Sequence, residues 1–173
     1  MPKHTIRAGL AAAAVLASLV VLPNRLMPDA LAQAPPADPA IERRTVETVM
    51  LDYFEAFSRG DMAAAMTFMN VPLMSPTAHG FAAYTTSTDA LAAYTKIRDD
   101  LGRHGYAKSE WIDLRVKLLG PAYAIAGGVY VRYKADGSEL GRSGGTYLLN
   151  KVDGVWKIAV VTRYPPGDVP KLD

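Results

Sequence analysis

The 173-residue chain contains no cysteine, which excludes disulfides, thiolate nucleophiles, thiolate-ligated metals and lipidated cysteine anchors. Histidine is nearly absent, at three residues, and no two of them sit at the spacing of a metal site. No apolar run reaches the ~18 residues of a membrane-spanning helix. No glycine-rich loop follows a strand and opens a helix, so a phosphate-cradling motif is missing. Gly127-Gly128 and Gly144-Gly145 fall inside strand patterns, where glycine more often permits a bend. Ser75 and Ser143 have no recognisable histidine–acid relay, which leaves nucleophilic hydrolysis unsupported.

What is present is globular composition, with half the residues hydrophobic and 21% charged. Residues 1–32 read as an export signal. Lys3 and Arg7 precede the apolar run Ala8 to Leu22, and Ala30-Leu31-Ala32 has the small-x-small pattern of a cleavage site. Cleavage after Ala32 predicts a periplasmic or secreted protein. Removing Lys3, Arg7, Arg25 and Asp29 reduces 19 basic and 17 acidic residues to 16 of each. The mature chain then carries no net positive charge to neutralise phosphates, so nucleic acid is not an expected partner. A Pro/Ala-rich linker, residues 33–40, leads into one domain over 41–165, with a tail over 166–173.

Periodicity divides the domain. Val46, Val49, Met50, Tyr53, Phe54 and Phe57 recur at helical spacing, predicting a helix from Pro39 to Arg59. Gly60 suits its end and Asp61 caps a short second helix, Met62 to about Met69. Short extended pieces are expected near Leu73–Ser75 and Phe81–Thr85. A third helix follows over Asp89 to Arg103, capped by Ser87 or Thr88 and buried along Leu91, Tyr94, Ile97 and Leu101. Ala107–Leu119, Ala122–Lys134, Ser143–Lys151 and Val155–Tyr164 alternate as strands. Asp136-Gly137 and Asp153-Gly154 mark hairpin turns, which predicts an antiparallel sheet. Helices first and strands last is α+β segregation.

The stretch Leu51–Asp61 (LDYFEAFSRGD) and the hairpin Tyr147–Ile158 (YLLNKVDGVWKI), in this order of elements, resemble the nuclear transport factor 2-like superfamily. Its SnoaL-like domains of unknown function are the most similar. The resemblance implies a cone-shaped fold, with three N-terminal helices on a strongly curved antiparallel sheet and an apolar cavity between them. It also implies a homodimer formed through the sheet, for which Trp111, Tyr123 and Tyr130 are candidate surface aromatics. The ketosteroid isomerases of this superfamily use a tyrosine that corresponds to Tyr53. Their base and second acid correspond to Met74-Ser75-Pro76 and Thr146, so two of three functions are missing.

The leading expectation is a domain that binds a small apolar or amphipathic molecule, lined by Met50, Tyr53, Phe57, His79, Tyr94 and Arg132. No metal or other cofactor is expected. A second reading is a small isomerase, lyase or hydrolase using Tyr53 and His79; a third is a dimerising association domain. Each residue also has a plainer role. Tyr53 can be a core aromatic with its hydroxyl satisfied locally. His79 can be a solvated loop histidine. Arg132 and Arg163 can clamp a carboxylate from the inner sheet face, or stand on the outer face as exposed charges.

Overall fold

The computed structural model describes residues 38–172. The expected export signal and most of the expected linker lie outside the described residues, although Pro39 and Ala40 already belong to the first helix. Helix α1 (Pro39–Arg59) opens on Asp38, whose carboxylate accepts from the Ala40 amide, and closes on Gly60 at φ 74°. Only glycine adopts that left-handed turn without a steric penalty. Asp61 caps α2 (Met62–Thr67) by accepting from the Ala64 amide. Helix α3 (Ser87–Arg103) is capped one residue earlier than Ser87, by Thr86, which accepts from the Asp89 amide at 3.1 Å and donates to its carboxylate at 2.7 Å. Arg98 of α3 donates to the Phe57 and Ser58 carbonyls, both at 3.1 Å, and so ties α3 to the C-terminal turn of α1.

Six strands form one sheet: β1 (Met69–Thr77), β2 (Gly80–Tyr84), β3 (Tyr106–Leu118), β4 (Tyr123–Lys134), β5 (Glu139–Val152) and β6 (Val155–Tyr164), in the order β2-β1-β6-β5-β4-β3. The expected antiparallel sheet is in fact mixed, because β1 runs parallel to β6. Hairpin turns announce only antiparallel neighbours, and no local signal marks this long-range pairing. The Asp153-Gly154 turn has φ of 51° and 81°, as a two-residue hairpin loop requires.

The inner sheet face packs on α1, and its side chains converge. Trp111 and Tyr147 stand on strands two apart, which a flat sheet would separate by about 10 Å. Their ring centroids are 5.8 Å apart, and both rings contact Phe54 of α1. Two corrections to the alternation follow from β3 and β4. Strict alternation along β3 would put Ile112 on one face with Leu114 and Val116. A bulge between Trp111 and Asp113 instead turns it outward, where it is 56% exposed. On β4 the larger aliphatics Ile125 and Val129 occupy the outer face, while Ala124, Ala126 and Tyr130 face α1. Tyr130, a candidate for a dimer surface, is 2% exposed in the core, and Trp111 packs beside it; of the three only Tyr123 is well exposed.

Candidate functional site

Between α1, α3 and the inner sheet face lies a cavity of about 50 Å³. Helix α1 contributes Tyr53, Phe54 and Phe57; α3 contributes Tyr94 and Ile97 one turn apart. The sheet supplies Ser75, Ser109, Tyr130, Arg132, Tyr147, Val161 and Arg163. The strand register explains this convergence. Tyr130 pairs with Ser143, Gly128 with Gly145, and Gly145 with Arg163, so the side-chain-free glycines leave room between Tyr130, Tyr147 and Arg163. A Cβ on Gly145 would stand 3.1 Å from the rings of both Tyr130 and Tyr147. Glycine here keeps two phenols pointing into one space.

The lining is graded. Tyr53, Tyr94, Tyr130 and Tyr147 are all buried, Arg132 is half-buried and Arg163 is exposed. The tyrosines therefore form the floor and the arginines the rim. An open groove outside the rim, bordered by Pro76, Thr77 and Ser143, shares Arg163 with the cavity.

Two polar groups in this wall are buried with no protein partner: the Tyr94 hydroxyl and Arg132 Nε. The Arg132 fork reaches only the Tyr130 hydroxyl, at 3.5 Å, with the guanidinium 5.5 Å from that ring's centroid. No aspartate or glutamate lines the cavity. Burial pushes the Tyr94 phenol up to about 12; the Ser75 hydroxyl, beside it but outside hydrogen-bonding geometry, and Arg163 pull the other way without matching it. Burial likewise holds Tyr53 and Tyr147 well above the ordinary phenol range, reinforced at both by neighbouring phenols. At neutral pH these groups are hydrogen-bond donors and acceptors, and none is a ready base or nucleophile.

Of the residues singled out in the sequence, the structure brings Tyr53, Phe57, Tyr94 and Arg132 to one cavity. Met50 is fully buried in the core beneath α1, outside the cavity lining. His79 is exposed at the β1–β2 turn, where its amide donates to the Thr77 hydroxyl. It is not among the cavity residues, so a Tyr53–His79 acid–base pair is not assembled. Arg132 and Arg163 both take the inner-face alternative. Tyr130, Tyr147, Ser109 and Ser75 complete the wall without having been singled out for it. The usable signal was the run of small residues Ala124, Ala126 and Gly128, which marks the β4 face that a helix approaches closely. Among the described residues no cluster of three or more acids and histidines is gathered for a metal, and no helix is long and apolar enough to cross a membrane.

Residues 42–166 match the family model described as NTF2-like protein (DUF6841). No curated protein matches the chain. Among solved structures, it is similar to an NTF2-like protein of unknown function from Shewanella oneidensis. The two are 22% identical with a TM-score of 0.56, over 69% of this chain and 96% of that one. An NTF2-like protein with a cystatin-like fold from Novosphingobium aromaticivorans matches at 16% identity and TM-score 0.58, over 72% and 82% of the two chains. A putative calcium/calmodulin-dependent protein kinase II association domain from Xanthomonas campestris also matches. Its identity is 16% and its TM-score 0.58, over 80% and 95%. At these identities the likeness establishes the fold alone.

Proposed function

This chain belongs to the NTF2-like protein family DUF6841, and from that scaffold and its cavity we propose a domain that binds a small amphipathic molecule without transforming it. The observation that carries this reading is the pair of unpartnered polar groups, the Tyr94 hydroxyl and Arg132 Nε, in a wall of mainly aromatic and aliphatic surface that also carries Ser75, Ser109 and Arg163. Buried polar groups nearly always have partners, and small-molecule sites combine apolar walls with a few such groups. A general base is the missing element for catalysis: the phenols are held protonated and His79 stands elsewhere.

The test is ligand-observed NMR with small amphipathic fragments, run on the wild type and on Ile97→Phe, which fills the cavity from α3. Binding to the wild type that is lost in Ile97→Phe is the expected result. Fragments that bind both alike, or neither, overturn the reading.

Two accompaniments belong to the same proposal. The leader is removed after Ala32 and the domain works outside the cytoplasm; the mass of the mature protein from cell fractions tests this. The domain pairs through its outer sheet face, where Met74, Val160, Leu148 and Ile125 stand side by side across β1, β6, β5 and β4. Light scattering showing a dimer that Leu148→Asp dissociates is expected, and a wild-type monomer overturns it.

A further inference from the structure

We infer that the molecule held in the cavity carries a carboxylate, received at the rim by Arg132 and Arg163, on a short chain that reaches inward to the tyrosines. This rests on the cavity-binding reading above and adds the ligand's charge, polarity and size.

Charge comes first. Two guanidiniums border one small cavity with no acid in its lining, and neither forms an ion pair among the described residues. Several other arginines of the domain are partnered: Arg115 pairs with Asp113, Arg142 with Glu139, and Arg98 has two backbone carbonyls. Arg132 and Arg163 alone at this site lack an anion. A half-buried guanidinium with an unmet Nε is costly to leave so, and its planar fork matches a carboxylate with two parallel hydrogen bonds. The phenols cannot supply the negative charge, because burial keeps them protonated.

Orientation and size follow. The arginines are the exposed end and the tyrosines the buried end, so the acid lies at the rim and the carbon chain points toward Phe54, Phe57 and Val161. A cavity of about 50 Å³ accommodates about three or four water-sized groups. That is a three- or four-carbon tail, as in butyrate, and far below the ~300 Å³ of a typical drug-sized pocket.

The experiment is an NMR titration of the purified chain at pH 7 with butyrate, butyramide, 1-butanol, octanoate and inorganic phosphate. Butyrate is expected to bind about tenfold or more tighter than butyramide or butanol, the worth of a charge-assisted hydrogen bond, and tighter than octanoate or phosphate. Arg132→Met should abolish the preference for butyrate over butyramide, Arg132→Lys should restore part of it, and Arg163→Met, at an exposed position, should weaken it in a normally folded chain. Butyramide or butanol binding as tightly as butyrate overturns the carboxylate and leaves the cavity reading standing. Octanoate or phosphate binding tighter overturns the size or the acid class. Failure of every compound here, together with fragments that bind Ile97→Phe as they bind wild type, overturns both.

Discussion

Replacing Gly128 with alanine tests the local geometry on which the cavity depends. Gly128 lies in the middle of β4 at φ 154°, opposite the β3 bulge, and an added Cβ would stand 1.4 Å from the Asp113 carbonyl oxygen and 2.6 Å from its carbon. Even weak carbon–oxygen contacts need about 3.3 Å, so the two backbones must part by about 2 Å. That costs the local ladder about two hydrogen bonds at about 1 kcal/mol each. A non-glycine residue in this region of φ adds about 1–3 kcal/mol. The expected loss is about 3–5 kcal/mol, a large share of the ~5–15 kcal/mol that holds a domain together. It corresponds to a melting point lower by about 10 °C or more. Urea unfolding followed by circular dichroism measures it. Gly141→Ala is the control: it lies on the neighbouring strand, its added Cβ meets nothing within 4 Å, and it should change stability by less than about 0.5 kcal/mol. A Gly128→Ala protein within about 1 kcal/mol of wild type would refute the close approach of β3 and β4, and with it the bend that brings Trp111 and Tyr147 together.

Four further substitutions probe the same structure. Tyr94→Phe removes a hydroxyl with no protein partner and should leave stability within about 0.5 kcal/mol of wild type. Tyr106→Phe removes one that is 2.8 Å from the Ser109 hydroxyl, and should cost about 1–2 kcal/mol by chemical denaturation. Glu42 of α1, whose side chain is 15% exposed, is held below the ordinary carboxylate range by Lys151 first and the Trp156 indole N–H next. Because the folded state depresses this pKa, the unfolded chain binds more protons at mildly acidic pH. The Glu42 contribution is therefore complete above about pH 5 and is lost as pH falls through the folded-state value. Glu42→Gln should cost about 1–2 kcal/mol at pH 7 and flatten the acid limb of the stability profile; an unchanged limb would contradict the assignment. His79→Ala should alter neither melting nor fragment binding, and a binding defect would restore the histidine to the site.

Local pattern carried the elements well, because each of the main helices and strands announces itself within its own span. The stripe from Val46 to Phe57 and the two Asp-Gly turns are signals of that kind, and they are complete in the residues concerned. The parallel partnership of β1 with β6 depends on segments about ninety residues apart and has no such signature. The site was legible in part for the same reason. Tyr53, Phe57 and Tyr94 follow from helix faces, but which side of β4 meets α1 does not follow from alternation alone. Both faces of that strand are apolar, and the inner one carries the smaller residues, since a helix approaches it closely. That inversion is why Tyr130, a surface candidate by sequence, lies in the core. For Arg132 it turned an open choice into a position on the cavity wall. His79 illustrates the converse: a residue type suited to catalysis, carried on a turn that holds it in solvent.

The most direct measurement is a ligand titration of the chain with ¹³C-labelled tyrosine rings. The ring signals of Tyr53, Tyr94, Tyr130 and Tyr147 are expected to shift together on adding butyrate, while those of Tyr123 and Tyr164 on the opposite sheet face stay in place. Shifts confined to Tyr123 and Tyr164, or no shift in the four cavity rings at saturating ligand, would contradict binding in the cavity.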